Sequence, residues 1–210
     1  MNIIKHLHQK ASEFASKPAL IFKEQEISFK DLSVKVNQLA AGLKSLNTVK
    51  STRVAIYLPN CPEYVYSYLA SFHRGATVIP LDFMLKSDEL ISCLSHGEAE
   101  ILIALYKPDV DMGAIKEAVP SLRSVIVVGQ GSGQLYETSF ASLLKDELQE
   151  STATAAADPA LLMYTSGTTG KPKGILLNYR HLDGSPEAMH HFVDLNEHDI
   201  KLCAIPLSHI

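Results

Sequence analysis

Residues 161–177 read LLMYTSGTTGKPKGILL, and this stretch organises the chain. Leu161-Leu162-Met163-Tyr164 is an apolar run with strand character, and Ile175-Leu176-Leu177 resumes one after a polar interval. The pattern predicts a strand, a loop and a second strand, paired as a hairpin. Within the loop, Thr165, Ser166, Thr168 and Thr169 offer hydroxyls, and Lys171 and Lys173 add two positive charges. Gly167, Gly170 and Gly174 let backbone N–H groups turn toward one point without a Cβ in the way. Short donors, two cations and no carboxylate make a loop suited to a polyphosphate. With no apolar side chain between Thr165 and Gly174 to pin it, the loop is expected to be exposed.

Two other phosphate loops do not fit. The P-loop needs a glycine, four residues, then Gly-Lys and a hydroxyl entering a helix. Here Gly167 and Gly170 are separated by two residues, and Pro172 stands where the hydroxyl belongs. A dinucleotide fingerprint requires a third glycine after Gly129-Gln130-Gly131, at a position held by Gln134. That cluster reads as a surface turn.

Outward from the loop, the chain alternates strands and helices. Ile3, Ile4, Leu7 and Phe14 are spaced for a short amphipathic helix. Residues 19–22 and 26–28 form a hairpin around Lys23-Glu24-Gln25. Ser28 and Asp31 make a capping-box variant ahead of a helix whose apolar face is Phe29, Leu32, Val36, Leu39, Leu43 and Leu46. Strands follow at 54–58, 77–81, 101–105 and 124–128, with helices between them. Asn60 is expected to cap the helix that ends at Gly75, and residues 139–148 read as one more helix. The fold class is therefore α/β, with a mainly parallel sheet flanked by helices on both faces. The expected division is an α/β subdomain over 1–148, a Ser/Thr/Ala-rich linker at 149–159, and the phosphate-loop hairpin opening a second, incomplete subdomain over 160–210.

Composition narrows the function classes. A chain of 210 residues buries about 70% of its unfolded surface, enough for a real core. The net charge of −4 argues against a nucleic-acid partner, which would want a basic face. Cys61, Cys93 and Cys203 are widely spaced and odd in number, so neither a disulfide framework nor a metal site is expected, and a reducing compartment fits. No apolar run approaches the 18 or so residues of a membrane span, so a cytoplasmic protein is the expectation. His190 and His191 are adjacent and point apart, and no ligand pattern surrounds them, His181 or His198.

Tyr164 to Gly174, YTSGTTGKPKG, resembles the signature loop of the adenylate-forming superfamily: acyl- and aryl-CoA ligases, luciferases and peptide-synthetase adenylation domains. The other reading of such a stretch is a plain glycine-rich linker. Three further segments carry the resemblance across nearly the whole chain. Ile27-Ser28-Phe29-Lys30-Asp31-Leu32 resembles an early element of that family. His73 to Asp82, HRGATVIPLD, is similar to its "aGaxxvPl" element. Pro206-Leu207-Ser208-His209 resembles its "P-L-F-H" element, with Ser208 replacing the aromatic.

The resemblance implies a chemistry. A carboxylic acid attacks the α-phosphate of ATP carried with Mg2+, pyrophosphate leaves, and a thiol, usually coenzyme A, takes the acyl group from the adenylate. By the same resemblance Ser166, Gly167, Thr168, Thr169, Gly170 and Lys173 hold the β- and γ-phosphates. Thr165 lies near Mg2+, Lys171 is a supporting charge, and His209 lines the acyl pocket near the reacting carboxylate. The "P-L-S-H" form favours CoA ligases over amino-acid adenylation domains, which usually carry a Phe-Asp pair there. The family's later adenine- and ribose-contacting elements and its C-terminal lysine do not occur in the 210 residues. The expectation is thus the N-terminal portion of a ligase, inactive alone and prone to self-association; the alternatives are a non-catalytic binding remnant and a fragment of an amino-acid adenylation domain.

Overall fold

The computed structural model describes residues 3–131, 133–134, 137–165, 173–182 and 196–209. An N-terminal helix α1 (Ile3–Glu13) precedes a small antiparallel hairpin, β1 (Pro18–Phe22) with β2 (Gln25–Ser28), and then helix α2 (Phe29–Ser45). Ser28 starts α2 as anticipated: its Oγ accepts from the Asp31 backbone N–H at 3.0 Å and donates to the Asp31 carboxylate at 2.6 Å. Alternation follows through β3 (Arg53–Tyr57), α3 (Pro62–His73), β4 (Thr77–Pro80), α4 (Ser87–His96), β5 (Ile101–Leu105), α5 (Met112–Ala118) and β6 (Ser124–Val128). A short strand β7 (Glu137–Ser139) and the pair β8 (Pro159–Thr165) and β9 (Lys173–Asn178) complete one seven-stranded sheet, ordered β7-β6-β5-β3-β4-β8-β9. Every pairing in it is parallel except β8 with β9.

Both faces of the sheet are covered, because alternate residues of each buried strand point to opposite sides. Val54, Ile56, Ile101, Ile103 and Ile126 meet the side of α1, α2 and α3, where Ile4, Val36, Leu39, Leu43 and Phe72 are buried. Ala55, Tyr57, Leu102, Ala104, Val125 and Val127 meet α4 and α5, packing on Leu90, Leu94 and Ile115. Continuous apolar runs such as Ile101–Leu105 are what a parallel strand buried on both sides requires. α3 ends where Gly75 takes φ +67°, a left-handed turn that glycine enters without steric cost.

Two local readings change. Residues 139–148 do not form a helix: Glu137–Ser139 pair with β6, and only Phe140–Leu143 makes a single 3-10 turn. The spacing of Phe140, Leu143 and Leu144 imitates a helical face, but tertiary contact decides otherwise. Leu143 docks so closely on α2 that a Cβ at Gly42 would lie 2.5 Å from the Leu143 Cβ, and the Leu148 N–H bonds to Asn37 O. Asn60 does not cap α3 either; Cys61 takes that position without a side-chain bond. The sheet also extends beyond the strands between Val54 and Val128. Residues 149–159 return the chain to it, with Thr152 N–H on His73 O at 2.9 Å and Lys50 on Asp158 at 2.7 Å.

His73, at the end of α3, is fully buried, and neither ring nitrogen has a hydrogen-bond partner among the described residues. Burial, with His8 and Arg74 beside it, pushes its pKa down to about 4. The unfolded chain binds that proton near pH 6.5, so between about pH 6.5 and 4 the unfolded state holds more protons and folding weakens as pH falls. At about 1.4 kcal/mol for each pH unit between those two values, the loss is at most about 3.5 kcal/mol. Urea unfolding at pH 7 and pH 4.5 is predicted to show this loss in the wild type and a smaller one in His73→Leu. Equal losses in the two proteins would show that His73 does not carry the effect.

Candidate functional site

The hairpin anticipated around the loop is present. β8 and β9 pair in register from Leu161↔Leu177 through Tyr164↔Gly174 to Thr165↔Lys173, so Thr165 and Lys173 face each other across the mouth of the loop. Both are exposed. Ser166, Gly167, Thr168, Thr169, Gly170 and Lys171 lie outside the described residues. β8 is fixed to the sheet at its start, where Leu161 pairs with Val78 of β4. Past that point it pairs with β9, and the faces of β8 divide. Leu162 and Tyr164 pack on the α4 side, while Met163 packs with α2 and α3. By the same alternation Thr165 and Lys173 stand on the face opposite Tyr164 and Gly174.

A second group of residues collects where β3 and β4 end. Asn60, just after β3, donates from Nδ2 to Ile205 O at 2.9 Å and accepts from Leu207 N–H at 2.8 Å through Oδ1. This two-point grip makes the Asn60 amide a substitute strand for residues 205–207. From Leu207 to His209 the chain forms a 3-10 turn with Ser208 buried. His209 Nε2 lies 3.3 Å from Asp82 Oδ2, just after β4, while Asp82 Oδ1 accepts from Met84 N–H at 2.9 Å. The Pro-Leu-Ser-His segment is therefore seated at the carboxyl ends of two adjacent parallel strands, where open α/β sheets bind ligands. β8 runs in the same direction and ends at Thr165.

Chemically, these groups have the charge and the hydrogen-bonding capacity to hold and orient an anion. Lys173 supplies a mobile cation and Thr165 a hydroxyl. The Asp82 carboxylate facing His209 favours a proton on Nε2, which orients the imidazole and leaves Nδ1 free to accept. Among the described residues no group of three or more His, Cys, Asp or Glu side chains could hold a metal ion. Among the described residues, the glycine cluster after β6 offers no rival anion site. A cavity of about 320 Å³ opens beside Gly129, Gly131 and Gly133. The Gly133 N–H is already taken by the Glu137 carboxylate at 3.0 Å, and Tyr106 donates to the same group.

Asp82 and Asn60 escape sequence reading as site residues, one passing for the tail of a strand and the other for a helix cap. Both follow the last residue of a buried parallel strand, and that placement is the signal available for them.

A family model described as AMP-binding enzyme matches residues 7–210. The curated relatives include 4-coumarate–CoA ligase 1 of Arabidopsis thaliana, 29% identical over 98% of this chain and 39% of its own length. They also include 2-succinylbenzoate–CoA ligase of Bacillus velezensis, 32% identical over 97% of this chain and 39% of its own. The anthranilate CoA ligase AuaEII, solved in complex with anthranoyl-AMP, superposes with a TM-score of 0.81 at 26% identity, over 89% of this chain and 36% of that one. A long-chain-fatty-acid-CoA ligase from Archaeoglobus fulgidus gives a TM-score of 0.86 at 22% identity, over 100% and 42%, a likeness of fold. The chain spans about two fifths of the length of the curated relatives it matches. Matched along all but its first six residues, the chain belongs to the AMP-binding enzyme family.

Proposed function

We propose that the chain is the N-terminal portion of a ligase that activates a small-molecule carboxylic acid with ATP and transfers the acyl group to coenzyme A. The observation that carries this is the hairpin mouth, where Thr165 and Lys173 face each other at the ends of a loop built from hydroxyls, glycines and a second lysine. In the first step a carboxylate oxygen bonds to the α-phosphorus as the bond to pyrophosphate breaks. In the second a thiolate bonds to the acyl carbon and AMP leaves. In-line displacement at phosphorus asks for positioning and charge neutralisation rather than covalent help. Ser166, Gly167, Thr168, Thr169, Gly170 and Lys173 would hold the β- and γ-phosphates, and Lys171 adds charge nearby. Mg2+, entering with ATP, would supply charge neutralisation near Thr165. His209, oriented by Asp82, would line the acyl pocket near the carboxylate.

The relatives' names span aromatic acids, such as 4-coumarate, and long-chain fatty acids, and both classes belong in the substrate panel, with fatty-acid metabolism as one setting. Cys61, Cys93 and Cys203 are free thiols, which favours a cytoplasmic setting. Ile175 and Leu176 on the edge strand β9 are exposed, as are Ile200, Leu202 and Ile205. Apolar side chains on an open strand edge favour pairing of two copies. Sedimentation of the 210-residue chain is predicted to show a dimer or larger species; a monomer at high concentration contradicts this.

The function is tested by ATP–pyrophosphate exchange with a panel of carboxylic acids, measured on the full product of the gene and on the 210-residue chain. Exchange is predicted in the former and absent in the latter, where the later contacts that position ATP are lacking. Lys173→Ala is predicted to slow exchange by about 10²–10³, the usual cost of one transition-state donor. Strong exchange by the short chain would mean the active site is misplaced, and an indifferent Lys173 would remove the loop from the mechanism.

A further inference from the structure

Three hydrogen-bonding groups meet at the last turn of α4. Tyr164 Oη donates to Cys93 O at 3.0 Å, a carbonyl that also receives the Gly97 N–H. His96 Nδ1 lies 2.9 Å from the same hydroxyl. A phenol has one proton, and Tyr164 has given it to Cys93 O, so the His96 contact requires Nδ1–H to donate to Tyr164. The two rings meet edge to face, 5.6 Å between centroids at 73°, in the range of a favourable aromatic pair. Burial pushes the Tyr164 hydroxyl up to about 12, so it stays protonated in this role.

Gly174 shows how tightly this arrangement closes on the hairpin. A Cβ there would stand 2.9 Å from Leu162 Cδ1, 3.3 Å from His96 Cε1 and 3.5 Å from Tyr164 Cε1. Gly97 is enclosed in the same way, with Tyr164 Oη 3.0 Å and Ile79 Cδ1 2.9 Å from the place of its missing Cβ. The side-chain space of the glycine that ends the KPKG run is thus taken first by Leu162 and then by the His96 ring, with Tyr164 in contact beside them. Tyr164 and Gly174 are register partners, and the next pair along the ladder is Thr165 and Lys173. The attachment of β8 to β4 lies further back along the strand, at Val78↔Leu161.

We infer that His96 is a positioning residue of the site: through Tyr164 it clamps the end of the β8–β9 ladder against α4 and so fixes Thr165 and Lys173 at the mouth of the loop. The inference rests on the proposed role of that mouth in holding phosphate. An asparagine at 96 presents its Nδ2 donor where Nδ1 stands, so His96→Asn can keep the bond while His96→Ala cannot. If His96 acts only through Tyr164, the double variant His96→Ala/Tyr164→Phe loses no more than Tyr164→Phe alone.

The test is titration of the 210-residue chain with pyrophosphate in the presence of Mg2+, together with amide hydrogen exchange of residues 173–178. His96→Ala and Tyr164→Phe are predicted to weaken binding about tenfold, near the 1.4 kcal/mol that a tenfold change represents, and to speed exchange at 173–178 by a similar factor. His96→Asn is predicted to stay within about twofold of wild type in both, on the worth of a retained hydrogen bond, and Ser95→Ala, in the same turn and exposed like His96, to change neither. Exchange at 173–178 unaltered by His96→Ala overturns the clamp whatever the ligand does. So does wild-type affinity in His96→Ala when Lys173→Ala binds weakly. If Lys173→Ala itself binds as wild type, it is the phosphate role of the mouth that fails, and the exchange rates then decide the clamp separately.

Discussion

Strand β8 is hydrogen-bonded on both sides, parallel to β4 through Val78↔Leu161 and antiparallel to β9 along the hairpin from Leu161↔Leu177 to Thr165↔Lys173. The site depends on that double attachment. Thr165 and Lys173 are held opposite each other only as firmly as the strands that carry them. The parallel sheet, sealed on one face by α1, α2 and α3 and on the other by α4 and α5, supplies the rigidity. The antiparallel turn back into β9 carries it to Thr165 and Lys173.

A parallel sheet also decides where the second half of the site assembles. Strands running one way present their carboxyl ends together, and the residues just past those ends are free of the ladder. Asn60 after β3 and Asp82 after β4 use that freedom to seat residues 205–209. Asn60 takes two main-chain bonds and Asp82 faces His209. The β8–β9 hairpin and the Pro-Leu-Ser-His segment are thus attached to neighbouring strands of one scaffold, separate in sequence and related through the order β3-β4-β8.

Much of this is legible without coordinates because it is local. The hairpin follows from two apolar runs around a loop, the start of α2 from Ser28 and Asp31, and the buried parallel strands from runs such as Val54–Leu58. The family resemblance rests on a contiguous motif. What sequence reading misses is non-local. Asn60 reads as a cap because capping is the local use of an asparagine before Pro62, yet its partners lie 145 and 147 residues away. Asp82 meets His209 across 127 residues and His96 meets Tyr164 across 68. No spacing rule reaches that far. The misread helix at 139–148 has the same origin. A three-and-four spacing of Phe140, Leu143 and Leu144 satisfies a single turn docked on Gly42 as well as it satisfies a helix.

The proposed function carries one assignment above the others: the hairpin mouth contacts the pyrophosphate portion of ATP and leaves the nucleoside to other parts of the enzyme. It is tested most directly by comparing the affinities of the 210-residue chain for ATP, pyrophosphate and AMP, each with Mg2+. ATP and pyrophosphate are predicted to bind with affinities within a few-fold of each other, and AMP at least about tenfold more weakly, because a charge-assisted contact of the Lys173 kind is worth roughly 1.5–3 kcal/mol and AMP lacks the groups that make it. AMP binding as tightly as ATP, or no binding of pyrophosphate beside measurable binding of AMP, would contradict the assignment.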